Sequence, residues 1–147
     1  LTFSASFNYS LGADLYNYQR SIIESGSYFY NQTTSMLARW THDGQVTDVP
    51  RASFLDEMGN SRFSDRWIED GSYLKLKNVT LSYRIPVQSA YLQGITLWAA
   101  GNNLFTITKY LGSDPEFAQS NAVMGMGIDR GLLSPGRSFS LGVKINL

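Results

Sequence analysis

The first twelve residues, LTFSASFNYSLG, alternate without a miss: Leu1, Phe3, Ala5, Phe7, Tyr9 and Leu11 against Thr2, Ser4, Ser6, Asn8, Ser10 and Gly12. Successive side chains of a strand point to opposite faces, so a strict period of two predicts a strand with one apolar side. The last ten residues, SFSLGVKINL, repeat the pattern with Phe139, Leu141, Val143, Ile145 and Leu147 on one face. Residues 95–108 alternate through Ile95, Leu97 and Ala99 and then lose strict period, with Trp98 on the otherwise polar side. Residues 72–85 place Val79, Leu81, Tyr83 and Ile85 together, while Leu74 and Leu76 fall out of phase. A bulge near Asn78, or a change of environment along the strand, accounts for that slip.

Charge is partitioned along the same lines. The 147 residues carry 12 Lys plus Arg and 12 Asp plus Glu, yet the four alternating segments contain no carboxylate. Their charges are all cationic: Lys75, Lys77, Arg84 and Lys144. A net charge of zero argues against an electrostatic nucleic-acid binder. Scarce charge (16 %) with 14 % aromatic residues argues against disorder. With Cys at 0, no disulfide framework, Cys-ligated zinc site or thiol nucleophile is available, and His42, the single histidine, cannot make a multi-His metal site. No apolar run is long enough for a transmembrane helix, and Leu1-Thr2-Phe3-Ser4 lacks the start of a signal peptide.

A soluble antiparallel sheet packed on one face also alternates. Two details favour a membrane barrel. The apolar faces are free of charge over lengths close to the ~9–11 residues a tilted strand needs to cross a bilayer. The connections also differ: residues 86–94 make a short turn, whereas 13–71 and 109–137 are long. Short periplasmic turns alternating with long extracellular loops are the pattern of outer-membrane barrels.

Longer motifs narrow the reading. Residues 66–83, RWIEDGSYLKLKNVTLSY, resemble the RWIEDGSYLRLKNVTLSY signature of SusC/RagA-type TonB-linked outer-membrane proteins of the Bacteroidetes. Residues 103–116, NLFTITKYLGSDPE, resemble the family's NLFTxTKYxGxDPE, and Arg39-Trp40-Thr41 with Thr47-Asp48-Val49-Pro50-Arg51 resemble its RWT and TDxPR loop. The resemblance covers essentially the whole chain, in family order. It implies an all-β fold, here the C-terminal four strands of a 22-stranded antiparallel transmembrane β-barrel with long extracellular loops. On that reading, strands at 1–12, 72–85, 95–108 and 138–147 flank extracellular loops 13–71 and 109–137 and a periplasmic turn at 86–94. The family's plug domain and TonB box have no counterpart in these residues, so the chain reads as a fragment that is stable only when paired with the remaining strands. Four strands would leave two open edges, which lipid does not tolerate.

The resemblance also implies a role: energised import of oligosaccharides or peptides across the cell outer membrane. The implied partners are the rest of the same transporter, a SusD-like surface lipoprotein, TonB through the N-terminal part, the barrel-insertion machinery and outer-membrane lipid. No nucleic acid, metal or cofactor is implied, and no enzyme activity.

Individual residues carry further expectations. Ser140-x-Gly142-x-x-Ile145-x-Leu147 fits the assembly signal of outer-membrane barrels, in which a terminal strand pairs with a sheet edge of the insertion machinery. Leu147 departs from the usual terminal aromatic residue. Tyr9, Tyr73, Tyr83 and Phe139 are candidates for interfacial girdles. The 13–71 loop carries Tyr16, Tyr18, Tyr28, Phe29, Tyr30 and Trp40, whose faces can stack on sugars; Tyr28, Tyr30 and Trp40 are the substrate-contact candidates, set against packing in the loop's own core. Thr33 or Thr34 is predicted to cap a short helix running through Met36, Leu37 and Trp40. Asp65, Arg66, Glu69 and Asp70 could be read as acid–base carboxylates, but a charged turn neutralised by Arg66 is the stronger reading. Asp114-Pro115-Glu116 has too few carboxylates for a calcium loop, and Gly125-Met126-Gly127 lacks the Lys of a phosphate loop. His42 reads as a solvated loop residue. The rival from another class is a soluble β-sandwich carbohydrate-binding module; an enzyme comes third, lacking a convergent nucleophile or acid–base set.

Overall fold

Alternation becomes strand at both ends of the chain. The computed structural model describes residues 1–87, 91–116 and 125–146. Strands β1 (Thr2–Ser10), β4 (Tyr73–Ile85), β5 (Gly94–Thr108) and β7 (Ser138–Asn146) form one antiparallel sheet in the order β1-β4-β5-β7. Three short strands, β2 (Asp14–Asn17), β3 (Ile68–Asp70) and β6 (Ile128–Asp129), form a second sheet in the order β3-β2-β6. The chain divides into two units accordingly: Leu1–Ala13, Gly71–Lys109 and Ser134–Leu147 in the first, Asp14–Asp70 and Tyr110–Leu133 in the second.

Register in the first unit aligns the apolar residues of every strand. Phe3, Ala5, Phe7 and Tyr9 pair with Leu81, Val79, Leu76 and Leu74. Those residues pair in turn with Ala99, Gly101, Phe105 and Ile107, while Leu141 and Phe139 continue the rows from Ala99 and Gly101. The out-of-phase leucines are brought into line by one bulge. Ser6 pairs with Asn78 and Phe7 with Leu76, so Lys77 is the extra residue on β4. Skipping one residue inverts the alternation, which carries Leu74 and Leu76 onto the face of Val79. Opposite Lys77, β5 bulges at Asn103 (φ 52°), and Leu104 folds over Gly101, where an ideal Cβ would lie 2.9 Å from its Cδ2.

The other face is polar and cross-linked. Asn78 Nδ2 donates to Asn102 Oδ1 (2.8 Å), and Asn102 Nδ2 donates to Ser138 Oγ (3.1 Å), a row of bonds across β4, β5 and β7. Lys75, Arg84 and Lys144 share this face, opposite Thr106, Thr96 and Thr96 respectively. Trp98 stands here too, between Ser82 and Gly142. Tyr9, Tyr83 and Phe139 lie on the apolar face, exposed. Tyr73 differs from them, pairing with Ser10 and Thr108 on the polar face.

The second unit has more ordered structure than the one short helix the sequence predicts within its long loops. β2 leads into helix α1 (Tyr18–Ile23), capped by Asn17, whose Oδ1 accepts from the Arg20 N–H (2.9 Å). The helix is left at Gly26, where φ is +63° and a Cβ would meet Ala52 Cβ at 2.8 Å, so only glycine fits. The helix expected through Met36, Leu37 and Trp40 is instead a 3₁₀ segment, Thr34–Ala38. It buries Met36 and leaves Leu37 exposed, so the two share no face, and Trp40 lies beyond its end. Thr33 sits at its N-cap without a capping bond, and its hydroxyl donates to Glu24 (3.0 Å). Among the described residues of this unit, Leu15, Met36, Trp67 and Tyr110 are the buried hydrophobic ones.

Candidate functional site

The residues of the longest motifs meet in the second unit around a single carboxylate. Glu69 Oε1 accepts from Arg20 Nη1 (2.5 Å) and Asn17 Nδ2 (3.3 Å), while its Oε2 accepts from the Leu111 N–H (2.9 Å). Arg20 also donates from Nε to Glu24 (2.8 Å). Burial would lower the Arg20 pKa, but the bonds to Glu69 and Glu24 outweigh it and hold the guanidinium above its ordinary value. Burial likewise pushes Glu24 up, and hydrogen bonds from Arg20, Ser35 and Thr33 reverse the sign and bring it below the usual glutamate range. Arg66 forms no ion pair among the described residues, and the carboxylates acting on it electrostatically are Glu24 and Asp48. Its guanidinium lies 4.7 Å from the centre of the Trp67 ring, with that of Arg20 at 5.5 Å.

Tyr110 and Asp129 extend the network. The Tyr110 hydroxyl donates to Asp129 Oδ2 (2.6 Å), and Asp129 Oδ1 accepts from the Gly131 N–H (2.7 Å). Burial, followed by the carboxylate of Asp129, pushes the Tyr110 pKa well above its ordinary value, so the hydroxyl stays a donor. The carboxylates of this cluster are therefore committed to ion pairs and backbone N–H groups. Such an arrangement holds loops in place.

Beside it lies an open cleft of about 510 Å³ lined by Tyr16, Tyr18, Ser61, Phe63, Ile128 and Arg130. Tyr16 and Phe63 stack with ring centres 4.7 Å apart and planes 27° apart. Tyr16 is held by its N–H donating to the Gly127 carbonyl (2.7 Å) and by its pairing with Ile128. Ser61 is held by Asp56, whose carboxylate accepts from the Ser61 N–H (3.1 Å) and from the Asn60 N–H (2.6 Å). Arg130 is exposed and has no ion pair among the described residues.

The substrate-contact candidates are not gathered into one site. Tyr28 and Tyr30 are exposed neighbours, ring centres 5.6 Å apart. Trp40 is half-buried and ties a different turn together through its N–H bond to the Val49 carbonyl (2.9 Å). Phe63 and Arg130 escape sequence reading. An isolated exposed Phe and an isolated Arg carry no local signal; what links them to Tyr16 is tertiary. His42 is exposed, its Nδ1 3.0 Å from the Thr41 hydroxyl, and Asp114 Oδ1 accepts from the Glu116 N–H (3.0 Å).

Of the assembly-signal residues, Ser140 and Gly142 lie on the polar face of β7 and Ile145 on the apolar face, paired with Ile95. Leu147 lies outside the described residues.

Comparison with known proteins adds an independent line. No family model matches the chain. TonB-dependent receptor P3 of Formosa agariphila is 33 % identical over 147 residues, covering 95 % of this chain and 14 % of the receptor. TonB-dependent receptor P26 of the same organism is 26 % identical over 99 % of the chain and 15 % of its own length. Among solved structures, the RagAB peptide transporter matches with a TM-score of 0.79 and 27 % identity, over 97 % of this chain and 15 % of that one. The chain thus spans about a seventh of the length of the relatives it matches.

Proposed function

We propose that this chain, which belongs to the SusC/RagA-type TonB-dependent receptors, supplies the closing part of the barrel wall and two surface loops of an outer-membrane importer. The first unit is the wall, with its apolar face toward lipid and its polar, cationic face toward the lumen. Residues 13–71 and 109–137 are the extracellular loops and 86–94 a periplasmic turn. The cargo is an oligosaccharide or a peptide, energy arrives through TonB acting on a plug domain, and a SusD-like lipoprotein covers the mouth. The chemistry is binding and gated passage, with no covalent step. Tyr28, Tyr30 and Trp40 are substrate contacts on this reading, and Ser140, Gly142, Ile145 and Leu147 direct assembly.

One observation carries it: an uncharged apolar face runs across four paired strands and stays uncovered. Phe139 and Leu141 are 77 % and 85 % exposed, Phe3 65 % and Val143 62 %. Exposure on that scale in water would be an aggregation surface; against lipid it is the required boundary. The strands have 9, 13, 15 and 9 residues, enough to cross a bilayer when tilted. A soluble carbohydrate-binding module would need a second layer over this face.

These residues contribute no cysteine, so in a receptor cleared of any cysteine elsewhere, thiols introduced here report on the two faces separately. In the full-length receptor, Ser140→Cys in the polar row should react with a water-soluble maleimide, whereas Leu141→Cys should react only after detergent solubilisation. Equal labelling of both in intact outer membranes would refute the membrane-wall assignment.

A further inference from the structure

The cleft at Tyr16 is a site of a different kind from the exposed Tyr28–Tyr30 pair, and resting on the importer reading it can be taken one step further. Its floor is fixed. Tyr16 belongs to β2, the central strand of the β3-β2-β6 sheet, so its backbone is paired on both sides and offers no free edge to an incoming peptide strand. What it offers is a side chain. Phe63 stacks on that ring and is 76 % exposed, giving a flat apolar platform backed by a second ring. Tyr18 and Ser61 line it as well, the Ser61 hydroxyl donating to Asp56 (2.5 Å).

Arg130 supplies the discriminating group. The other arginines of the core, Arg20 and Arg66, are committed to Glu69, Glu24 and the Trp67 ring. Arg130 is held between Asp129, which the Tyr110 hydroxyl anchors, and Gly131, whose φ of +82° sets the turn. Its backbone is therefore placed by the network, while Arg130 lines the cleft and makes no ion pair among the described residues. A guanidinium on a rigid base selects planar anions, carboxylates above all, by paired N–H bonds. Aromatic platforms take the C–H faces of sugar rings. The cleft volume of about 510 Å³ lies within the range of small-ligand sites.

We infer that this cleft binds an acidic saccharide: a sugar ring on the Phe63–Tyr16 platform, its carboxylate on Arg130. The charge, not the ring alone, sets the preference.

The test uses the full-length receptor in detergent with trigalacturonate, its methyl ester and tetraglutamate as probes, binding measured by calorimetry. Trigalacturonate should bind about tenfold more tightly than the ester, which keeps the rings and loses the charges. Arg130→Gln should erase that difference, Arg130→Lys should keep part of it, and Phe63→Ala should weaken acid and ester alike. Equal binding of acid and ester, an Arg130→Gln receptor that still discriminates, or tetraglutamate binding as tightly as trigalacturonate would each overturn the inference. Its failure stays separate from that of the importer reading, which is judged by the thiol labelling above.

Discussion

The indole of Trp98 occupies the space a side chain at Gly142 would need: an ideal Cβ there would lie 2.4 Å from the indole Cε2. The two residues face each other across β5 and β7 on the polar side of the sheet. A glycine in a strand interior weakens it unless another group needs the room, and here the group is an indole. Gly142 thus has a packing reason in the folded sheet beside the assembly role proposed for it.

The two reasons separate experimentally. Gly142→Ala should lower the folded fraction of the receptor, an overpacking cost of about 1–3 kcal/mol. If packing is the cause, Trp98→Ala in the same chain restores folding, read as heat-modifiable mobility on gels. If recognition by the insertion machinery is the cause, the double variant stays unassembled.

Leu141 and Ser140 are neighbours on opposite faces of β7. With β7 in the proposed barrel wall, Leu141→Arg should cost about 2–4 kcal/mol in urea unfolding from lipid vesicles, the penalty for a cation on a lipid-facing strand near mid-depth. Ser140→Arg should change stability by less than about 1 kcal/mol, because its face already carries Lys144 and Arg84.

Glu69 joins Arg20, Asn17 and the backbone of Leu111. Glu69→Ala leaves two side-chain donors and one backbone N–H short of an acceptor, a loss of about 2–3 kcal/mol from this unit. Limited trypsin digestion of the full-length receptor should then cut within 14–70 at least several times faster, with the strand segments still protected.

Glu24 makes the loop unit acid-sensitive. Its folded pKa lies below the unfolded value, so its contribution is complete above the ordinary glutamate pKa of about 4.3 and disappears as pH falls through the folded value. Protease resistance of 14–70 should hold from pH 8 to 6 and drop below about pH 4 when pepsin is used. Glu24→Gln should be weaker at neutral pH and flatter across the acid range.

Much of the first unit is legible from residue types alone. A period of two needs no knowledge of distant partners, because strand geometry sends neighbours to opposite faces; LTFSASFNYS and SFSLGVKIN therefore declare strand and an apolar face together. The phase slip between Leu76 and Val79 announces a bulge for the same local reason. Carboxylates kept out of the alternating segments show which stretches avoid a low dielectric.

Tertiary structure decided everything that joins residues far apart. It chose Lys77 as the bulged residue and set Trp98 against Gly142. It also set a 3₁₀ segment over 34–38 in place of the helix expected through Trp40. It turned Glu69 from one member of a charged surface run into the hub for Arg20, 49 positions away. Phe63 and Arg130 became one cleft with Tyr16 only through the β2–β6 pairing and the turn fixed by Asp56. Periodicity is a property of consecutive residues and can be read along the chain; an ion pair or a cleft depends on which distant segments meet, and only the fold determines that.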